Sequence, residues 1–223
     1  MHLAAERPIT AMSGALEMNF ERWASLMAAW EFEPNREAFE ALLMAYSERG
    51  RHYHTAEHIS ACLRHLDACL AQVEIPREVE IALWFHDAIY KPFSSNNEKE
   101  SADWAASFLS ENGAAEAEAA RVHRLIMATE HNAPTQTSDE AVLVDIDLSI
   151  LGAAPSTYDI FECGVRKEYK HVPSFLYRRK RAEVLRGFLD REKIYTSGCF
   201  SAAVECQAKE NLSNAVTELE GRA

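Results

Sequence analysis

Histidine and aspartate side chains stand beside apolar runs in three segments of this 223-residue chain. The segments are "RHYHTAEHISACLRHL" (51–66), "LWFHDAIY" (83–90) and "EAVLVDIDLSILG" (140–152). Burying an unpaired carboxylate costs roughly several kcal/mol, and imidazole and carboxylate groups are ligands of divalent metals. A shared cation would therefore compensate for the burial that the surrounding apolar residues predict.

In the first segment, Thr55 can cap a helix that carries an apolar stripe, and His58 lies at the edge of that stripe in the first turn. Taken alone, His58 is best interpreted as a half-buried structural histidine, with metal ligation as the alternative. His52, His54 and His65 compete for the ligand role, because spacing does not choose among them.

In the second segment, His86 and Asp87 are consecutive, so on a helix their side chains diverge by about 100°. They can still converge on one ion placed over the edge of the helix. The simpler interpretation of the isolated pair is a packed histidine beside an exposed aspartate on an amphipathic helix.

In the third segment, the two aspartates lie about 200° apart on a helix, so they are not expected to face one site. The residues three and four positions from Asp147 are all aliphatic, which predicts that its side chain points inward and makes it the better ligand candidate. A helix cap or a surface position suits Asp145 better.

Apolar residues recur at helical spacing almost throughout, and no stretch alternates with a period of two for long enough to form a sheet. The sequence therefore predicts an all-α, single-domain fold. Helices are expected near 15–31, 35–48, 55–73, 76–90, 97–112, 114–130, 139–151, 156–171, 174–191 and 199–220. The polar loops at 91–97 and 131–139 follow histidine-bearing helices and are expected to form the rim of a site.

The net charge of −12 argues against binding a nucleic-acid polymer. Five cysteines without a CxxC pair argue against a disulfide framework and fit a reducing compartment. No run approaches the ~18 apolar residues that a membrane span needs, and the first residues contain no apolar signal segment. These features predict a cytoplasmic protein without a membrane partner.

Together the segments give a histidine, an adjacent His-Asp pair and an aspartate, each on a different predicted helix. In this order they resemble the H…HD…D set of the HD-domain superfamily, and the chain is most similar to the group called predicted HD-superfamily metal-dependent phosphohydrolases. Further matching segments are "NEKESA", "VRKEY", "IYTSGCF" and "NLSNAV". The resemblance covers residues 17–220 and leaves 1–16 as an N-terminal extension.

The resemblance implies a helical bundle of the HD type with one divalent metal, which could be Mn, Fe, Ni, Co, Zn or Mg. It implies His58, His86, Asp87 and Asp147 as ligands and hydrolysis of a small phosphate ester, plausibly a nucleotide. In many members a glycine and a lysine or histidine follow the His-Asp pair, whereas this chain continues "AIYKP".

In such a reaction Asp87 would act through the metal, and Glu98 is a candidate base because it follows the His-Asp helix by a short loop. The simpler interpretation of Glu98 is an exposed residue that complements the helix dipole. Candidates for binding the substrate phosphate are Arg51, His54, Arg166 and Arg181, with Lys170 as a further cation.

Two alternatives remain open. If His123 and His131 were both ligands, the site would hold two metals, and with iron it could support oxygenase chemistry. A non-catalytic module with a structural metal or a sensed ligand is the other alternative. A homodimer is a further expectation, since many helix faces are apolar. Trp84, Phe85, Trp104 and Phe108 are expected in the core.

Overall fold

The computed structural model describes residues 17–221, and within this range every regular element is helical. The ten α-helices are α1 (Phe20–Ala29), α2 (Arg36–Tyr46), α3 (Ala56–Cys69), α4 (Pro76–Phe85), α5 (Asn97–Glu111), α6 (Glu116–Met127), α7 (Ser138–Asp147), α8 (Pro155–Glu168), α9 (Ser174–Leu189) and α10 (Ala202–Gly221). Short 3₁₀ turns extend α3, α6 and α7 at Leu70–Gln72, Ala128–Glu130 and Leu148–Gly152. The expected all-α class is confirmed, whereas the extension proposed at 1–16 lies outside the described residues.

Each of the ten helices expected from the sequence is present, but the helix expected at 76–90 is shorter. It ends at Phe85, and the N–H of His86 makes the last helical bond, to the carbonyl of Ala82 at 2.9 Å. The following turn has partners outside the helix, since the N–H of Ile89 donates to the hydroxyl of Ser101 at 3.0 Å. His86 and Asp87 therefore lie in a turn, where their side chains are not held about 100° apart by helical geometry.

Side-chain oxygens cap α3 and α7, which carry His58 and Asp147. The Thr55 hydroxyl accepts a hydrogen bond from the N–H of Glu57 at the start of α3, as the sequence predicts. The Thr137 hydroxyl accepts one from the N–H of Glu140 at the start of α7. Each cap satisfies an N–H group that has no partner inside the helix and so fixes where that helix begins.

Two hydrophobic clusters form the core, and α7 contributes to both. The first lies among α1 to α7 and contains the fully buried Trp23 and Trp84, together with Phe85 and Phe108. Trp104 packs against this cluster and is partly buried, so the four aromatic residues assigned to the core from the sequence contribute to it. The second cluster lies among α7 to α10. The end of α7 therefore lies where the two clusters meet.

All five cysteines are free thiols. Within residues 17–221, no single helix is both long enough and apolar enough to cross a membrane, although the bent pair Ser138–Gly152 and Pro155–Glu168 passes the same test of length and composition when taken together.

Candidate metal centre

Four side chains from three parts of the chain meet between the two clusters: His58 from the first turn of α3, His86 and Asp87 from the turn after α4, and Asp147 from the end of α7. The Nε2 atoms of the two histidines are 3.2 Å apart. Asp87 Oδ2 lies 3.4 Å from Nε2 of His58 and 3.2 Å from Nε2 of His86. Asp147 Oδ1 lies 3.2 Å and 3.4 Å from the same two nitrogens.

These separations suit a metal ion. Each carboxylate oxygen forms, with the two histidine nitrogens, a triangle with sides of 3.2–3.4 Å. The centre of such a triangle lies about 1.9 Å from its corners, close to the usual distance from Zn²⁺ to an imidazole nitrogen or a carboxylate oxygen. Unprotonated nitrogens and carboxylate oxygens repel one another at such short range, so the arrangement requires protons or a cation between them. The donor set of His58, His86, Asp87 and Asp147, which we call the metal centre, therefore fits a divalent ion.

The hydrogen bonding of His86 prepares it for this role. Its Nδ1 lies 3.0 Å from the carbonyl oxygen of Leu83, and since a carbonyl only accepts, Nδ1 carries the proton. Nε2 is then the unprotonated nitrogen of the neutral ring and faces the other donors. Metal-binding histidines usually hold their second nitrogen in this way, which fixes both the tautomer and the orientation of the ring.

The electrostatics show how strongly the metal centre attracts positive charge. Burial alone would lower the pKa of His86, but the carboxylates of Asp87 and Asp147 raise it well above its ordinary value. Burial alone would raise the pKa of Asp147, but hydrogen bonds from His131, His58 and His86 lower it well below its ordinary value. A divalent cation would supply the positive charge that the imidazoles otherwise provide by taking up protons.

A thiol is also within reach. The ligand atoms of His58, Cys62, His86 and Asp147 all lie within 4.8 Å of one another, so this group could also hold a metal ion. Cys62 Sγ is 3.7 Å from His58 Nε2, farther than Asp87 Oδ2, and burial raises the pKa of the thiol well above its ordinary value. Because Asp87 Oδ2 lies nearer to His58 Nε2 than Cys62 Sγ does, we favour Asp87 as the fourth donor.

His131 supports the metal centre from the cavity side. Its Nε2 lies 3.0 Å from Oδ2 of Asp147, the oxygen that does not face His58 and His86. Since the carboxylate accepts, Nε2 donates, and the bond orients Asp147 so that Oδ1 faces the other donors. The two extra histidines are not brought together, because His123 instead lies 3.1 Å from Asp103 and does not line the cavity described below.

Glu168 of α8 organises the segment before α3. Its Oε1 accepts hydrogen bonds from the N–H groups of His52, Tyr53 and His54 at 2.7, 2.8 and 3.2 Å. Its Oε2 accepts from Nδ1 of His54 and from the hydroxyl of Tyr90, both at 2.8 Å. Burial alone would raise the pKa of Glu168, but the His54 side chain and the N–H groups of Tyr53 and His52 lower it to about 2. The residue lies in the "VRKEY" segment, although the sequence gives no sign of its partners.

Arg51 is expected from the sequence to bind phosphate, and the structure gives it a different role. Its side chain is only 1% exposed and forms an ion pair with Glu48. It donates to the carbonyl oxygens of Asp87 at 2.6 Å, Ala88 at 2.8 Å and His54 at 3.3 Å. Arg51 therefore holds the turn that carries His86 and Asp87, and its guanidinium group is not available to a substrate.

The other expected phosphate-binding arginines also have internal partners. Arg166 donates to the carbonyl oxygens of Tyr169 at 2.6 Å and Val172 at 3.2 Å and does not line the cavity. Arg181 does line the cavity, but it forms a two-pronged bond to the carboxylate of Glu162 at 2.6 and 3.1 Å. Lys170 is exposed and lies outside the cavity lining.

A cavity of about 640 Å³ adjoins the metal centre. Asp147, His54 and Glu98 line it. Of the two polar loops that the sequence predicts at the rim, the first contributes Phe93, Ser94 and Asn97 and the second contributes His131. Burial raises the pKa of Glu98, and the nearby Asp87 carboxylate adds to this effect. Glu98 is thus half-buried at the start of α5 and faces the same cavity as the metal centre.

Asp145 differs from its expected surface or capping position. Its side chain is fully buried in the third turn of α7, and its Oδ2 accepts a hydrogen bond from the N–H of Ser197 at 2.7 Å. Its Oδ1 is buried without a partner in the part of the chain that the structure describes, and burial raises the pKa of this carboxyl group. Both aspartates of "VDID" therefore point into the protein, towards different surroundings.

Comparison with models of protein families, with curated proteins and with solved structures gave no match to this chain. What can be concluded about the site therefore depends on its own residues: four donors suited to a divalent ion, a half-buried glutamate and a cavity beside them.

Proposed function

We propose that this protein is a divalent-metal-dependent phosphohydrolase of the HD-domain type, acting on a small phosphate ester. The observation that carries the proposal is the metal centre, in which two imidazole nitrogens and two carboxylate oxygens lie 3.2–3.4 Å apart in five pairs. The order of these residues along the chain is the H…HD…D order of the superfamily. The adjoining cavity provides space for a substrate.

A bound divalent ion supplies an acidified water at neutral pH and polarises a phosphoryl oxygen. The chain's own residues determine how the ion is held. His58 and His86 contribute neutral nitrogen donors, while Asp87 and Asp147 contribute the negative charge that binds the cation. A mixed set of nitrogen and oxygen donors favours Mn²⁺, Fe²⁺, Co²⁺, Ni²⁺ or Zn²⁺ over Mg²⁺, which prefers oxygen alone.

Glu98 takes the proton of the attacking water in this proposal. It lines the cavity beside the metal centre, and burial raises its pKa, which makes its carboxylate a stronger base than an exposed glutamate. It lies in the first turn of α5. The proton therefore passes to a group that is held beside the reacting atoms.

His54 binds the phosphoryl group of the substrate in this proposal. Its Nδ1 donates to Glu168, so Nε2 is the nitrogen left for a ligand in the cavity that His54 lines. The carboxylates of Asp87 and Glu168 raise the pKa of His54 although burial alone would lower it, which favours a ring that can donate to a phosphoryl oxygen.

The test combines metal analysis with a substrate screen. The purified protein is analysed for bound metal and then assayed on phosphomonoesters and nucleotides with Mn²⁺, Co²⁺, Mg²⁺ or Ni²⁺ added. We expect one metal per chain and phosphate release that a chelator abolishes. A folded, metal-loaded protein that releases no phosphate from any substrate would contradict the proposal and favour a non-catalytic module. Two irons per chain with oxygen consumption would favour the dinuclear oxygenase instead.

A further inference from the structure

The cavity beside the metal centre is walled mainly by hydrocarbon. Helices α8 and α9 and the 3₁₀ turn after α7 contribute aliphatic and aromatic side chains, among them Leu148, Phe161, Val165, Leu176, Val184 and Phe188. Tyrosine rings from α9 and from the segments before α3, after α4 and after α8 add further apolar surface. A site of this composition gains binding free energy by removing the apolar surface of a ligand from water.

The positive charges along the cavity already have partners. Lys180 Nζ lies 2.8 Å from the carboxylate of Glu183, and Arg181 is bonded to Glu162 through two nitrogens. The half-buried carboxyl group of Glu98 lies on the same cavity. Among the described lining residues away from the metal centre, no arginine or lysine is left without a carboxylate partner. A polyphosphate chain needs several such groups, so this wall is poorly suited to one.

We propose that the site takes a phosphate monoester whose alcohol part is apolar, such as a branched or cyclic alkyl group. The phosphate lies at the metal centre, and the hydrocarbon lies against the wall formed by α8 and α9. The placement of the phosphate depends on the proposed function, whereas the apolar recognition depends on the cavity alone. Each methylene group that the wall buries should improve binding about fourfold.

The first test compares the hydrolysis of cyclohexylmethyl phosphate, glucose 6-phosphate and AMP by the metal-loaded protein. All three are esters of primary alcohols, so their leaving groups have similar basicity. Differences in kcat/KM therefore report how well the protein recognises the alcohol part. We expect kcat/KM to be at least ~10-fold higher for cyclohexylmethyl phosphate. Equal or better hydrolysis of glucose 6-phosphate or AMP would overturn the inference while leaving the proposed hydrolase intact.

The second test does not require turnover. Calorimetry compares the binding of cyclohexylmethylphosphonate and methylphosphonate. In both compounds carbon is bonded directly to phosphorus, so they contain no ester bond that the protein could hydrolyse. We expect the cyclohexylmethyl compound to bind at least ~10-fold more tightly. This preference in a protein that hydrolyses no ester would support the inference and reject the proposed function, whereas equal affinities would overturn the inference whatever the activity.

Two phenylalanines provide a matched pair of variants that should fold. Phe93 lines the cavity and is 74% exposed, while Phe175 is 71% exposed and does not line it. We expect Phe93→Ala to weaken cyclohexylmethylphosphonate binding about threefold to tenfold and to leave methylphosphonate binding unchanged, with no effect of Phe175→Ala. Val184→Thr, which replaces a methyl group of the α9 wall by a hydroxyl group, should also weaken cyclohexylmethylphosphonate binding. No effect of either cavity variant would contradict the inference.

Discussion

The two ends of the cavity handle charge in opposite ways. At the metal centre, the carboxylates of Asp87 and Asp147 face imidazole rings, and the pKa of Asp147 is held well below its ordinary value. Along α8 and α9, by contrast, the guanidinium of Arg181 is bonded to the carboxylate of Glu162. The first end could hold a cation, whereas the charge of Arg181 at the second end is already paired.

This difference shows why the type of a charged residue is a poor guide to its role. Arginines are the usual phosphate ligands, yet here Arg51 and Arg166 bind carbonyl oxygens and so stabilise loops. Charge that has a partner inside the protein holds the fold together, and charge without a permanent counterion is available to a ligand. The phosphate group of the proposed substrate is therefore expected at the metal centre and not beside the arginines.

The largest effect should come from removing a donor at the metal centre. Asp147→Asn removes a carboxylate that faces two histidines, and we expect metal affinity to fall at least ~100-fold, with loss of metal-dependent hydrolysis. Calorimetric titration with Mn²⁺ or Zn²⁺ measures it. Asp145→Asn is the matched control, since Asp145 lies two positions away and faces Ser197 instead. Similar losses in both variants would show that α7, and not the donor set, is responsible.

The next largest effect concerns Glu168, which lies on α8 but serves the segment that leads to the metal centre. Lowering its pKa from 4.5 to about 2 corresponds to about 3 kcal/mol of native stability. Because the pKa is depressed on folding, this stability is present above pH 4.5 and is lost as the pH falls towards 2. Glu168→Gln should lower the free energy of unfolding at pH 7 by up to this amount.

Chemical denaturation between pH 7 and pH 2.5 measures the effect, and the difference between the native protein and Glu168→Gln should shrink across the lower part of this range. Glu192→Gln, at an exposed position, is the control and should change stability little. A constant difference at every pH would mean that the charge of Glu168 does not stabilise the fold.

A smaller effect is expected for Arg51, which acts on the metal centre through the backbone. Arg51→Lys keeps the charge but loses the two guanidinium nitrogens that donate to the carbonyl oxygens of Asp87 and Ala88. We expect metal affinity to fall about 10-fold, because the turn that carries His86 and Asp87 is held less firmly. Arg49→Lys, at an exposed position, should leave affinity unchanged. If Arg51→Lys instead lost affinity for methylphosphonate at saturating metal, Arg51 would have a role in substrate binding.

The smallest effect should come from releasing the charge of Arg181. Glu162→Gln removes the carboxylate that Arg181 binds, so we expect inorganic phosphate to bind up to ~10-fold more tightly. Arg181→Lys in the otherwise native protein should change phosphate binding less than ~3-fold. Calorimetry with phosphate at two salt concentrations measures both. A large loss of phosphate affinity in Arg181→Lys would break the contrast between the two ends of the cavity.

Local features of the sequence predicted much of the fold. Helical periodicity predicted all ten helices, and the aliphatic neighbours of Asp147 predicted that its side chain faces inward. The same reasoning misplaced Asp145, because α7 lies between two hydrophobic clusters and buries more than one face. A pattern of neighbours reports one apolar face of a helix and does not report a second packing partner.

The sequence by itself thus determined the helical class, the positions of the helices and, through the order of its histidines and aspartates, a candidate ligand set. Only the tertiary structure decided that His86 and Asp87 lie beyond the end of α4, that Arg51 and Arg166 bind carbonyl oxygens, and that Glu168 holds His54. Helix formation depends on residues three or four positions apart, whereas the contacts of Arg51 with Asp87 and of Glu168 with His54 join residues 36 and 114 positions apart. Which charges acquire partners is therefore settled by packing.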